Sequence, residues 1–356
     1  ILTNASNTYN TIGAASVVLD VNTSEIISLV SLPDFDPSIS IEPEDKRRFN
    51  RATFGRYEMG STFKLFTIAM AIEKGLVNLE TMLDATRPLD ISGRRIDDFY
   101  PKRRWLSVPE VLMYSSNIGA VQVANKVGSG SQRFFLEKLG LLSALELEVP
   151  EIGKPDYPKR WSLSNTATIS YGHGIAVTPL HVVSGVSSLV NGGYFIRPTF
   201  LKREYLPQDE FKRVISDDTS VKMRYLMHLV VENGSARGAN LPEYSVGGKT
   251  GSADKPENGG YNKDKLITSF VGVFPTFNPR YIVFVLLDEP KSKDKKSNNK
   301  TSGWNAVPTS KEIISRIAPI LGVYPQVNED NAKELSEFIK AGLNHDKGLG
   351  ARDAFE

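Results

Sequence analysis

The 356 residues include no cysteine, which removes disulfides, thiolate metal sites and cysteine nucleophiles together. No apolar run reaches the ~18 residues that a membrane-spanning helix needs. Neither sign of charge is in excess: 43 Lys+Arg against 41 Asp+Glu leave a formal charge of +2 and no bulk electrostatic case for nucleic-acid binding. The chain opens at Ile1 without a Met, a basic n-region or an apolar h-region, so it reads as part of something longer. There is no internal repeat. What is present is ordinary globular composition, 40% apolar and 24% charged, on a chain long enough to bury a substantial core.

Strand signals lie at both ends. Ala14 to Leu32 reads as a hairpin, two β-branched runs around Asn22-Thr23-Ser24. Late in the chain, "YSVGGKTGSA" is one strand, and "ITSFVGVFPTFNPRYIVFVLLDEP" is a hairpin turning at Pro275 to Pro279. Between them the periodicity is mostly helical. Ser61 to Lys74 forms one helix, ended by Gly75. Two short helices fill "SVPEVLMYSSNIGAVQVANKVG", with Ser107 as N-cap and Pro109 in the first turn. Another opens at Thr178-Pro179, and a last one covers about Thr309 to Leu321. This order predicts an α+β fold: an antiparallel sheet assembled from both termini, with a helical region inserted. The expected divisions are a linker remnant over 1–11, one domain over 12–322, and a tail over 323–356 with a short helix near Glu329 to Lys340. The lysine-rich Lys291 to Lys300 stretch reads as a solvated loop.

Three short motifs carry chemistry. Ser-x-x-Lys places two side chains on one helical face. It occurs four times, at Ser61–Lys64, Ser252–Lys255, Ser292–Lys295 and Ser297–Lys300. Only the first sits at a helix start with apolar continuation; the second runs into a predicted turn, and the other two lie in the polar loop. A serine hydroxyl needs a base to become a nucleophile. Lysine serves if neutral, which costs roughly 4–5 kcal/mol at pH 7 for a free side chain. Burial in an apolar helix and a second nearby cation both lower that cost. "SSN" (Ser115-Ser116-Asn117) supplies a hydroxyl and an amide two residues apart. "KTG" (Lys249-Thr250-Gly251) supplies a second cation, a carboxylate-binding hydroxyl and close backbone approach. Each is weak alone. Their order along the chain is the combination found in serine β-lactamases and penicillin-binding proteins.

The resemblance extends beyond the motifs. "FNRATFGRYEMGSTFK", "YSSNIGAVQVA", "ISYGHGIAVTPLHVVSGVSSLVNGG" and "GGKTGSADK" followed by "SFVGVFP" resemble the transpeptidase domain of class B penicillin-binding proteins, most closely the division-specific FtsI type, from about Gly13 to Leu321. The resemblance implies a five-stranded antiparallel sheet with helices on both faces and an inserted all-helical subdomain. It implies a peptidoglycan D,D-transpeptidase in which Ser61 is acylated by a D-Ala-D-Ala stem peptide and an amine from a neighbouring stem takes the acyl group. Lys64 would be the base, Ser115 a proton relay, Asn117 a holder of the substrate amide and Lys249 the second cation. Thr250 would bind the terminal carboxylate beside Gly251, and the N–H groups of Ser61 and Ser252 would form the oxyanion hole. β-Lactams would acylate the same serine. No cofactor or metal is implied. Implied too are a septal role at the periplasmic face of the inner membrane, an N-terminal membrane anchor outside this chain, and an FtsW-type glycan polymerase with other division proteins as partners. Met59 departs from the family's usual proline, and "SGWNAVPTSKEI" matches imperfectly, so no roles are carried over there.

Competing readings are weaker. "GGKT" mimics the end of a P-loop, but Glu243 stands where its first glycine belongs and a strand follows. The four histidines are scattered without metal-ligand spacing and read as structural; His173, in "YGHG", lies near the expected cleft. No Glu-x-x-Leu-Asn stretch lies between Asn117 and Lys249 to activate a deacylating water, which favours a penicillin target over a β-lactamase. A non-catalytic penicillin-recognising sensor and an elongation-specific class B enzyme remain as alternatives.

Overall fold

The computed structural model describes residues 1–325 except 43, 205–210, 258 and 294–298. In chain order the first elements are α1 (Leu2–Thr8), β1 (Gly13–Asp20), β2 (Ile26–Leu32) and α2 (Lys64–Glu73). Short strands β3 (Met82–Asp84), β4 (Leu89–Ile91), β5 (Arg94–Ile96) and β6 (Trp105–Ser107) follow. Next come helices α3 (Val108–Met113), α4 (Asn117–Val127), α5 (Ser129–Lys138), α6 (Leu163–Ile169) and α7 (Pro179–Val190). Strands β7 (Tyr194–Phe195) and β8 (Lys212–Arg213) then lead to α8 (Asp217–Glu232). The chain finishes with β9 (Gly247–Glu257), β10 (Gly260–Phe274), β11 (Tyr281–Asp288) and α9 (Ala306–Ile320).

The main sheet has the order β2-β1-β11-β10-β9, antiparallel throughout. The two predicted hairpins meet where Gly13 pairs with Asp288 and Asp20 with Tyr281, so the two ends of the domain build one sheet. Every residue of β11 is buried, as are seven of eight in β1. A strand can bury both alternating sets of side chains only if both sheet faces are covered. Helices α7 and α9 pack on this central pair.

The inserted region is mainly helical and also carries three two-stranded ladders, β3–β6, β4–β5 and β7–β8. Strand β9 runs on through Lys255, where a turn is expected from sequence. Its ammonium bridges Asp288 and Glu289 at the end of β11, both at 2.9 Å, which holds the extended chain against β10. Residues 2–8, read from sequence as linker, form α1; Leu2 joins the core, and the Lys291 N–H donates to the Tyr9 carbonyl. The expected helix near Glu329 to Lys340 lies outside the described residues. Among the described residues no helix is long and apolar enough to cross a membrane.

Candidate active site

Ser61 stands in a single turn of 3-10 helix, Gly60 to Phe63, that leads directly into α2. Gly60 has φ +52, and a Cβ there would lie 2.7 Å from the Ser252 carbonyl oxygen. Glycine therefore lets the turn that carries Ser61 sit against edge strand β9. Gly251 does the same from the other side, where a Cβ would meet the Met59 carbonyl at 2.5 Å. The Ser252 carbonyl oxygen faces Gly60. In an antiparallel strand a residue's N–H and C=O leave on the same side, so the Ser252 N–H also faces Ser61's turn. Helix α2 is buried from Lys64 to Ile72, which carries the Lys64 ammonium into the core with no exposed surface, while Ser61 keeps partial access to solvent.

The second motif lies in a reversal between helices. A capping box of Ser107 and Glu110 starts α3. The chain then turns at Ser115, whose φ of +59 is left-handed, and Ser116 caps α4. Lys64 Nζ lies 2.8 Å from Ser61 Oγ, 2.8 Å from the Ser115 carbonyl, 3.2 Å from Ser115 Oγ and 2.7 Å from Asn117 Oδ1. The third motif arrives on β9, where Lys249 is likewise fully buried. Its Nζ is 3.0 Å from Ser115 Oγ, 3.2 Å from the Thr250 carbonyl and 3.3 Å from Thr250 Oγ1. Ser61, Lys64, Ser115, Asn117, Lys249 and Thr250 thus converge, while Ser252 sits two residues further along β9, past Gly251.

The partners of Lys64 limit where its protons can go. Two of Lys64's four partners are carbonyl oxygens, which can only accept. A neutral amine has two N–H groups and one lone pair. Donating to Ser115 O and Asn117 Oδ1 then leaves a neutral amine's lone pair for a hydroxyl, Ser61 being the nearer, whereas an ammonium would donate its third N–H there; the distances fit both states. The electrostatics favour the neutral one. Burial first, and then the charge of Lys249, push the Lys64 amine well below the usual lysine range, with Asp98 opposing. Burial pushes Lys249 down to about 7.

Several neighbours have no local signal in the sequence. Asp98 binds the start of α4 and Asp97 holds the Asn117 amide. Ser235 Oγ is 2.9 Å from Thr250 Oγ1. Ser302, in the stretch that matched imperfectly, donates its N–H to Ser252 Oγ at 3.1 Å and its hydroxyl to the Ser269 carbonyl. Glu58 accepts from the Gly174 N–H and the Tyr261 hydroxyl. His173 packs between Tyr171 and Tyr261, and burial followed by the charge of Lys64 pushes it down to about 4.

Residues 14–313 match the family model described as the penicillin binding protein transpeptidase domain. The chain is 37% identical over 334 residues to the "Probable peptidoglycan D,D-transpeptidase FtsI" of Caulobacter vibrioides, covering 90% of this chain and 56% of that protein. It is 32% identical to the "Stage V sporulation protein D" of Bacillus subtilis, covering 93% and 53%. The chain therefore spans little more than half the length of these curated relatives. Among solved structures it is similar to the apo transpeptidase domain of Burkholderia pseudomallei penicillin-binding protein 3, with TM-score 0.81, 28% identity and coverage of 92% and 93%. It is also similar to Mycobacterium tuberculosis penicillin-binding protein 3 complexed with aztreonam, with TM-score 0.82, 25% identity and coverage of 92% and 77%. With the family model spanning most of its length and the three motifs joined by hydrogen bonds through Lys64, Ser115 and Lys249, the chain belongs to the penicillin-binding protein transpeptidase domain family.

Proposed function

We propose that this chain is the catalytic portion of a peptidoglycan D,D-transpeptidase that works through an acyl-enzyme on Ser61. The observation that carries the reading is Lys64, buried, with the Ser115 carbonyl at 2.8 Å, Asn117 Oδ1 at 2.7 Å and Ser61 Oγ at 2.8 Å. Ser61 Oγ attacks the carbonyl of the penultimate D-alanine as Lys64 takes its proton. The N–H groups of Ser61 and Ser252 face the developing oxyanion, a contribution of roughly 3–4 kcal/mol per donor. Ser115, hydrogen-bonded to both lysines, passes the proton to the departing D-alanine amine. Lys249 and Thr250 hold the substrate's terminal carboxylate, and the remaining Asn117 Nδ2 proton is left for the substrate amide. An amine from a second stem peptide then attacks the ester and frees Ser61. A β-lactam enters by the same first step and stays bound.

The likeness to a relative named FtsI supports a septal role in cell division. With it go an N-terminal anchor in the inner membrane, a periplasmic location and an FtsW-type glycan polymerase as partner.

Labelling with fluorescent penicillin, followed by peptide mass mapping, tests the core of this reading. One adduct on the peptide containing Ser61 is expected, with none in Ser61→Ala while its melting curve stays within about 1 kcal/mol of wild type. Labelling that persists in Ser61→Ala overturns the assignment. Stem peptides supplied with an amine acceptor must also yield a cross-linked product; acylation without one makes the chain a penicillin-recognising sensor.

A further inference from the structure

Asp98 lies between β5 and β6, and its carboxylate reaches the turn that carries Ser115 and Asn117. Oδ2 accepts the Ser116 hydroxyl at 2.8 Å. Oδ1 accepts the backbone N–H groups of Asn117 at 2.6 Å and Ile118 at 3.0 Å. Ser116 already caps α4 by accepting from the Gly119 N–H at 3.0 Å, which is all that an ordinary serine cap provides. A second acceptor from outside the helix is thus spent on the two N–H groups beside it. The preceding residue acts on the side chain. The Asp97 carbonyl accepts from Asn117 Nδ2 at 3.0 Å, and because a carbonyl cannot donate, this bond decides which end of the amide faces Lys64. It is the oxygen, at 2.7 Å. Arg103 grips the Asp97 carboxylate through two bonds of 3.0 and 2.9 Å, which holds that carbonyl in place.

We propose that Asp98 is a positioning residue: with the Asp97 carbonyl it holds the start of α4 so that Asn117 Oδ1 and the Ser115 carbonyl occupy both N–H groups of Lys64 and leave its lone pair to Ser61. This rests on the reading of Ser61 and Lys64 given above. It also gives Asp98 an electrostatic effect. The charged or titratable groups around Lys64 are Lys249 from β9, Asp98 from the segment after β5 and His173 from the turn after α6. Of these only Asp98 is an anion. Burial and Lys249 drive Lys64 toward neutrality, and Asp98 draws it back.

The test is the second-order rate of penicillin acylation, per active site counted by mass, from pH 5 to 9. Asp98→Ala, Asp98→Asn, Asn117→Ala and the double variant Asp98→Ala/Asn117→Ala are compared. Asp98→Ala should react about tenfold more slowly than wild type at pH 7, yet cost less than about threefold when Asn117 is already alanine, because the two act as one unit. In Asp98→Asn the acid limb of the profile should move to lower pH, since the anion that favours charged Lys64 is gone. A residue with only a structural role would lower the folded fraction and leave both the coupling and the limb unmoved. If Asp98→Ala does not fold, the isosteric Asp98→Asn carries both measurements. Acylation by Asp98→Ala within twofold of wild type, losses that multiply fully in the double variant, or an unmoved acid limb each overturn the inference. A wild-type chain that takes no penicillin overturns the function itself, and this inference with it.

Discussion

A lysine with no exposed surface must either lose its proton or find an anion. Lys64 and Lys249 are both buried, and one hydroxyl, that of Ser115, lies between them. Lys64 yields first, because it feels both burial and its neighbour's charge. Once it is neutral, Lys249 is left with burial alone and titrates at about 7. On the proposed mechanism the two therefore take different roles at the same pH, as base and cation. A pH profile follows. Reaction needs neutral Lys64, so it slows as pH falls through that group's lowered pKa. It also needs charged Lys249, so it slows again as pH rises past about 7. kcat/KM for penicillin, which reports groups of the free enzyme, should be bell-shaped with its alkaline limb near pH 7. Lys249→Arg should remove that limb, since guanidinium keeps its charge. A wild-type profile flat up to pH 10 would contradict the division of roles.

Among the elements, the α3–α4 reversal is where backbone conformation is set against chemistry. Ser115 adopts φ +59, which costs a side-chain-bearing residue roughly 1–2 kcal/mol. In this conformation the carbonyl and the hydroxyl of one residue both reach Lys64. Separating strain from chemistry takes two substitutions. Ser115→Ala and Ser115→Gly both delete the hydroxyl and should both slow acylation by roughly a hundredfold. Glycine relieves the strain and alanine does not, so Ser115→Gly should be the more stable by about 0.5–1 kcal/mol in denaturant melts, even after glycine's greater freedom in the unfolded chain is counted. The opposite ranking would show that the turn is unstrained.

Across the whole molecule, the buried lysines make the site a stability cost. Unfolded, Lys249 titrates near its free value of ~10.4; folded, it titrates at about 7. Between those values the unfolded chain binds more protons, so stability rises with pH across the window, and below it the full cost is felt. That cost is on the order of 4–5 kcal/mol, and Lys64 adds to it in the same direction. Lys249→Met should therefore raise the melting temperature at pH 7, flatten the gain in stability between pH 7 and 10, and lose penicillin reactivity. Thermal melts at several pH values check this; a midpoint lowered at every pH would mean that the hydrogen bonds to Ser115 and Thr250 outweigh the burial. The fold bears the cost because β11 and β1 bury almost every side chain and β9 is attached to them through β10.

The sequence by itself determined the two hairpins, the buried helix behind Ser61, the cap at Ser107, the helix start at Thr178-Pro179 and the order of the three motifs. Each is written within a few residues, by periodicity, by turn chemistry or by a cap three residues from its partner. It also placed the α+β layout, because strand signals at both ends of a chain with helical patterning between them leave few ways to close one sheet. Tertiary structure alone decided that Asp98 holds the start of α4, that Asp97 aims the Asn117 amide and that Ser302 engages Ser252. It alone carried β9 through Lys255, where Asp288 and Glu289 supply the anions. The physical reason is range. A helix or hairpin is selected by neighbours in the chain, whereas these contacts join residues about 20 to 50 positions apart that are polar and unremarkable in their own segments, and only the packed core sets the distance between them.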